Sequence, residues 1–342
     1  MKRNPTFHRY LPILLFLAVK LAAQTEIPHQ KAGTTLFPFL DLGYDARSLG
    51  MGSADIGVKN DLSGVFSNPA ALYRIDDRRG LITYKPVIMD IRSGSFAYGL
   101  PLKNNGVLAA NLIYMSYGAL DGVDINNQPT GETWKPYSVA GSVSYANRIF
   151  NSMGVGVALK GIYDRIGSDE TYSSADGFAL DAGWQYNMAD IDLNYGIVIR
   201  NLGFVRSGYS EDSDDVRLPI TVGTGISYRP THVRELLIAF DLEKTVDDHL
   251  EYAVGGELEL FDRVLMIRAG YAFSHRDLVE VFEFIRGETE KGEYQKTNWN
   301  TVSIGIGFDT QVGEADMNVD AALNFRSDRQ PPSYAVTVQV GI

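Results

Sequence analysis

Cysteine is absent from this 342-residue chain, which excludes disulfide frameworks, Cys-ligated zinc and thiol nucleophiles and leaves the redox compartment open. Long apolar runs are missing too. The most apolar stretch, residues 11–23, falls short of the ~20 residues a spanning helix needs, and mean hydropathy is −0.10, so the chain does not read as a bundle of membrane helices. Histidine is scarce, five in all. His8 lies in the leader and His29 just beyond it, while His232, His249 and His275 fall in expected turns or loops, none paired at helical metal spacing. No Gly-x-Ser-x-Gly is present, no Ser/His pair is marked out for hydrolysis, and no Lys-Ser/Thr follows Gly50-Met51-Gly52 to make a phosphate loop. The chain therefore reads as non-enzymatic, with no catalytic, cofactor-binding or metal-binding residue.

Positive charge is the minority sign: 31 Lys and Arg against 42 Asp and Glu give a net charge of −11. Loss of the first 23 residues, which hold Lys2, Arg3, Arg9 and Lys20 and no acid, takes this to about −15. Such a surface repels nucleic acid. Acids cluster at Glu211, Asp212, Asp214 and Asp215, but without the glycine and spacing of a defined calcium motif they read as a solvated loop. The mixed run from Arg286 to Lys296, with Glu288, Glu290, Lys291 and Glu293, reads the same way, with a partner surface as the other possibility.

What is present begins at the N-terminus. Lys2, Arg3 and Arg9 precede the apolar stretch Leu11 to Ala23, and Leu21-Ala22-Ala23-Gln24 supplies a cleavage site, so residues 1–23 read as a cleaved export signal. From Leu81 onward a two-residue period dominates. Tyr252, Val254, Leu258 and Leu260 alternate with Glu251, Ala253, Glu257 and Glu259. Ile191, Leu193, Tyr195, Ile197 and Ile199 alternate with Asp190, Asp192, Asn194 and Arg200. Applied throughout, the pattern predicts about fourteen strands of roughly 8–12 residues, the length of a tilted bilayer-crossing strand. They cover 81–91, 93–100, 106–117, 137–147, 152–163, 176–187, 190–200, 218–229, 234–243, 251–260, 263–273, 298–309, 315–325 and 334–342.

A soluble sandwich or propeller also alternates, but the connections decide for a membrane barrel. Every second link is about two to five residues, and most of the others are long (118–136, 164–175, 201–217, 274–297), which sorts short turns to one rim and long loops to the other. The polar faces carry too many charges for a dry core. Glycines at 154, 156, 223, 225, 305 and 307 either leave room inside the barrel or mark strand curvature.

Residues 24–80 break the pattern. They contain Phe37-Pro-Phe-Leu-Asp-Leu-Gly-Tyr-Asp-Ala-Arg-Ser-Leu-Gly-Met-Gly52 and Val65-Phe-Ser-Asn-Pro-Ala-Ala-Leu72. Through Ala46, Arg47, Gly50, Met51, Gly52, Asp61, Asn68, Pro69, Ala70 and Leu72 this arrangement resembles the N-terminal signature of the PorV/PorQ family, within the wider FadL-like barrels. Residues 114–118 (Tyr-Met-Ser-Tyr-Gly), 156–161 and 199–203 resemble the family's strand motifs. Departures are Ser53, where a further glycine is common, and the non-aromatic terminal Ile342; both leave the subfamily open.

The resemblance implies an all-β fold: a fourteen-stranded antiparallel transmembrane barrel over 81–342 with an N-terminal plug over 24–80, in the outer membrane. Gly50, Gly52, Asn68, Pro69 and Ala70 are then structural plug residues. Phe37, Phe39, Leu40, Val65 and Phe66 either line a hydrophobic pocket or fill the lumen. Two roles follow from the resemblance: a type IX secretion component that binds or shuttles cargo bearing a C-terminal signal domain at the cell surface, together with other secretion proteins, or a FadL-like transporter of a hydrophobic small molecule. Outer-membrane lipid is a partner in either.

Overall fold

The computed structural model describes residues 34–59, 61–103, 106–124, 126–168, 172–210, 216–275, 301–326 and 331–341. The leader, His29, the acidic cluster at 211–215, the charged run at 286–296 and Ile342 lie outside the described residues.

The alternating segments form strands β1 (Arg79–Ile88), β2 (Ile91–Pro101), β3 (Gly106–Ser116), β4 (Leu120–Val123), β5 (Pro129–Trp134), β6 (Tyr137–Phe150), β7 (Met153–Gly167) and β8 (Tyr172–Met188). They continue as β9 (Leu193–Ser207), β10 (Thr221–Tyr228), β11 (Leu236–Thr245), β12 (Leu250–Leu260), β13 (Leu265–Ser274), β14 (Thr301–Val312), β15 (Ala315–Arg326) and β16 (Ser333–Gly341). All but β4 and β5 pair antiparallel with their neighbours and close when β1 pairs with β16, so that fourteen strands of the described residues make one barrel. Closure leaves no open edge, the condition for a sheet to cross a bilayer. The even count returns Arg79 and Gly341 to the same rim as partners. Among the described residues no helix is long and apolar enough to cross a membrane.

The two faces separate as the alternation requires. Outward stand Ile82, Phe96, Leu112, Val143, Leu159, Ile267, Ile304 and Ile306, all exposed; inward stand Thr83, Ser95, Asn111, Ser142, Asn194, Glu257, Arg268 and Asp320, all buried. An apolar belt outside and a polar interior is the reverse of a soluble domain and suits lipid.

Two expectations about loops need correction. Residues 118–136 are not all loop, because β4 and β5 form a separate hairpin. Its turn is set by the Asp124 carboxylate, which accepts from the Asn126 and Gln128 amides at 2.8 Å each, while Asn127 takes a left-handed φ of 59°. Both faces of β5 are exposed, so no apolar alternation announced it. Residues 164–175 and 201–207 are largely strand as well, since β7, β8 and β9 run 15, 17 and 15 residues. Past the lipid belt a strand no longer needs apolar residues on alternate positions, and the sequence pattern fades before the ladder does.

The outward position of Leu112, 49% exposed, sits near the middle of β3. Leu112→Arg is expected to destabilise the barrel by about 2–4 kcal/mol in urea unfolding from phospholipid vesicles, while Leu112→Ile stays near wild type.

Candidate functional site

The described part of the N-terminal segment runs from one rim to the other in contact with the inward face. It starts at the long-loop rim, where Thr35 bridges Arg217 and its hydroxyl donates to Asp247 at 2.7 Å. It ends at the short-turn rim, where Asp77 accepts from Arg79. Between them lie four short helical pieces: Pro38–Asp41, the short helix α1 (Ala46–Gly50), Leu62–Val65 and Pro69–Arg74. Regular structure is too sparse for the segment to bond its own backbone, and a buried amide or carbonyl left unpaired is costly. The strand side chains pair with it instead. The Asp241 carboxylate accepts from the amides of Asp55 and Ile56 at 2.6 and 2.8 Å. Gln185 donates to the carbonyls of Ile56 and Val58 at 2.9 and 2.8 Å. Ser227 and Asn194 both donate to the Gly57 carbonyl. Thr337 accepts from the Ala46 amide at 2.8 Å, and Ser95 and Lys85 donate to the carbonyls of Tyr44 and Gly43.

The expected structural residues fall within this packing. Asn68, fully buried, caps the turn that Pro69 begins: its side-chain oxygen accepts from the Ala70 amide and its nitrogen donates to Ile56, both at 3.0 Å. Ala70 is fully buried, and a Cβ on Gly156 would overlap the Pro69–Ala70 backbone. Gly52 has φ +67°, and a Cβ there would lie 2.7 Å from the Tyr271 nitrogen. Gly50 faces Gly305 backbone to backbone. Glycines at 154, 156, 223 and 305 thus stand where the segment approaches the wall; those at 225 and 307 also make room for the wall's own Asp241 and Asp320.

The five apolar residues divide between two clusters. Phe37, Phe39 and Leu40 pack with Tyr44, Ile113, Met115, Ile162 and Leu218; Val65 packs with Leu62, Leu72, Leu81 and Val107. Phe66 is half-buried and touches both. Leu40 and Phe66 border a cavity of about 150 Å³ whose other walls include Asp41, Asp55, Arg200, Asp241, Glu243 and Glu251.

The sequence did not single out the charge network that fixes the segment. Arg47 reaches Glu257 with two bonds, of 2.9 and 2.8 Å, and also pairs with Asp61. Arg268 bonds Glu257 at 2.7 Å and pairs with Asp320. Arg268 and Glu257 are almost wholly buried, so deleting either partner would strand a charge at a cost of order 3–5 kcal/mol. A second set joins Arg200 to Glu243, and a third joins Lys160 to Asp181 at 3.0 Å. The advance signals were Arg47 and Asp61 within the N-terminal signature and the polar-face positions of Glu257 and Arg200; the pairing itself joins the segment to strands distant in sequence. Below the first network a polar cavity of about 870 Å³, lined by Asp45, Arg47, Asp61, Glu257, Arg268 and Asp320 among others, reaches the short-turn rim. Among the described residues no group of His, Cys, Asp or Glu is placed to hold a metal ion.

Residues 25–228 match the family described as Type IX secretion system protein PorV. The chain belongs to the PorV family. In fold it is similar to the toluene transporter TodX of Pseudomonas putida, with 12% identity, a TM-score of 0.59 and coverage of 90% of this chain and 98% of that one. The CymD monoaromatic hydrocarbon channel matches with 12% identity, a TM-score of 0.59 and coverage of 87% and 96%. A FadL homologue of Pseudomonas aeruginosa matches with 12% identity, a TM-score of 0.55 and coverage of 87% and 98%. At this identity the likeness is one of fold: a FadL-like outer-membrane barrel. No curated protein matches the chain by sequence. The PorV-family barrel thus lies in the outer membrane, with its short turns facing the periplasm and its long loops the cell exterior.

Electrostatics inside this PorV-family lumen are pH-dependent. Asp45 caps α1 by accepting from the Ser48 amide at 3.0 Å. Burial, with Asp61 nearby, pushes its carboxyl up from 3.8 to about 8. Asp61 is buried too, yet Arg47 holds it below the ordinary carboxylate range. An acid with a raised folded-state pKa contributes stability at low pH that is lost as pH climbs towards that value. The α1 region is therefore expected to open more readily as pH rises from about 4 to 8. Asp45→Asn, which keeps a capping oxygen, should flatten that dependence in amide exchange of residues 46–52 corrected for intrinsic rates.

Proposed function

We propose that this PorV-family barrel is a non-enzymatic component of type IX secretion, exported through a cleaved leader over residues 1–23. Its loops at the cell surface hold cargo carrying a C-terminal signal domain, alongside other secretion proteins. Residues 24–80 act as a plug that keeps the lumen closed while the outside of the barrel works. The family match over residues 25–228 carries the reading. Support for the plug comes from the hydrogen bonds of Gln185, Asn194, Ser227 and Asp241 to the segment and from the Arg47–Glu257 pair.

The alternative, a FadL-like transporter of hydrophobic small molecules, draws on the fold shared with the hydrocarbon channels. The lumen chemistry favours secretion over it. Phe37, Phe39 and Val65 spend their apolar surface on side-chain clusters, and the larger cavity is bounded by carboxylates and guanidiniums, which a hydrocarbon would have to desolvate.

Two measurements test these assignments. In a deletion strain, proteins with the C-terminal signal domain should vanish from the surface and medium while uptake of labelled hydrophobic solutes stays normal; intact secretion with impaired uptake would establish the transporter instead. Removal of residues 36–72 should leave a heat-modifiable barrel whose conductance in planar bilayers rises well above wild type. Unchanged conductance would remove the plug role.

A further inference from the structure

The charges where the segment meets the wall do not balance. Along the two lumen cavities the segment brings Asp45, Asp55 and Asp61 to a wall that carries Asp241, Glu243, Glu257 and Asp320. Arg47 is engaged by Glu257 and Asp61, Arg268 by Glu257 and Asp320, and Arg200 by Glu243. Lys85 faces Asp45 from β1, but its ammonium donates to the Gly43 carbonyl at 2.9 Å. Asp45, Asp55 and Asp241 are left without an ion-pair partner among the described residues. Asp41 and Glu251, both exposed, line the smaller cavity towards the long-loop rim and add further negative charge.

The three unpaired carboxyls are linked through the backbone of the segment. Asp45, 3% exposed, accepts from the Ser48 amide, and the hydroxyls of Ser48 and Ser67 lie near Asp55. The amide of Asp55 in turn donates to Oδ2 of Asp241 at 2.6 Å. Asp241 is 1% exposed, and its Oδ1 is buried with no donor among the described residues. A buried carboxylate that has neither a cation nor a full set of donors takes up a proton instead. No group of the described residues is placed to hold a metal ion, so the proton is the counter-charge this junction accepts. Burial, partly offset by Ser48, pushes the Asp55 carboxyl up from 3.8 to about 6, beside about 8 for Asp45.

We propose that docking of the segment is proton-coupled: Asp45, Asp55 and Asp241 form a latch that holds when they are protonated and repels when they are ionised. Released from the wall, these groups face water and ionise in the ordinary carboxylate range, so undocking gives protons up. The stability they contribute is fully present below about pH 4 and is lost as pH rises towards 6 for Asp55 and 8 for Asp45. The lumen is therefore shut in acid and opens towards alkaline pH. Only this last step rests on the plug role of residues 24–80; the coupling of docking to protons does not.

The test follows amide exchange of residues 55–58 in the full-length protein, corrected for intrinsic rates, from about pH 5 to 8, beside conductance in planar bilayers. Protection should fall about tenfold per pH unit between roughly 6 and 8, the slope of one proton, and conductance should climb over the same range. Asp45→Asn, Asp55→Asn and Asp241→Asn combined keep the oxygens that accept from the segment amides, and this variant should stay protected and closed throughout. Asp55→Asn alone, at the least buried of the three, should remove the part of the slope below about pH 6. Heat-modifiable migration confirms the fold of each variant. Wild-type protection that ignores pH, or an unchanged slope in the triple variant, would overturn the latch. So would recovery of protection on adding calcium at the upper end of the range, since a bound cation would then be the counter-charge. Protection that falls while conductance stays flat would support the coupling and remove the plug role instead.

Discussion

A chain segment with little secondary structure can rest inside a barrel only where the wall completes its hydrogen bonds. That constraint organises most of what is seen in this molecule. The backbone from Gly43 to Val65 is met by Lys85, Ser95, Asn111, Gln185, Asn194, Ser227, Asp241 and Thr337, contributed by eight different strands. A wall of aliphatic side chains would leave those groups unpaired at 1–3 kcal/mol each, roughly. The polarity of the inward face is therefore a requirement of its contents as much as of contact with water. The inward glycines belong to the same requirement, because backbone bonds from the wall need the segment close enough to reach.

Charge follows the same logic at greater depth. Glu257 accepts hydrogen bonds from two guanidiniums, Arg47 from the segment and Arg268 from the adjacent strand, with Arg229 a more distant ion-pair partner. The link between segment and wall thus passes through a carboxylate that the wall itself already holds in place. Interior ion pairs carry a desolvation penalty that their attraction offsets only when geometry is good and every lone pair is used. Here Asp61 accepts from Nη1 of Arg47 and Asp320 from Nη1 of Arg268. The arrangement specifies one docked position for the segment, whereas the apolar clusters around Phe39 and Val65 would tolerate small slides.

Much of the barrel was legible in the sequence, because lipid imposes a period-two pattern that the residues must obey. Glu251 to Leu260 revealed both its faces. The extensions of β7, β8 and β9 were not legible, since above the membrane nothing forces apolar residues onto alternate positions. The hairpin of β4 and β5 was hidden for the same reason, although Asp124 with Asn126 and Asn127 carried the turn chemistry that forms it. In the lumen, Asn68-Pro69 could be read as a turn from two residues. The Arg47–Glu257–Arg268–Asp320 network could not, as it joins positions up to 273 residues apart and depends on a closure that only the whole barrel provides.

A lumen occupied by its own chain changes where a barrel can act. Between the rims lie a polar cavity that reaches the short-turn rim and a smaller one lined by several carboxylates, with Asp45 of the segment in the wall of both. Passage of a solute past the segment would need bonds broken at more than one place, because Glu257 holds it at Arg47 while Gln185 and Ser227 hold it at residues 56–58. Surface roles need none of this. The outside of the barrel, its exposed hairpin and its lipid face are available while the interior stays fixed.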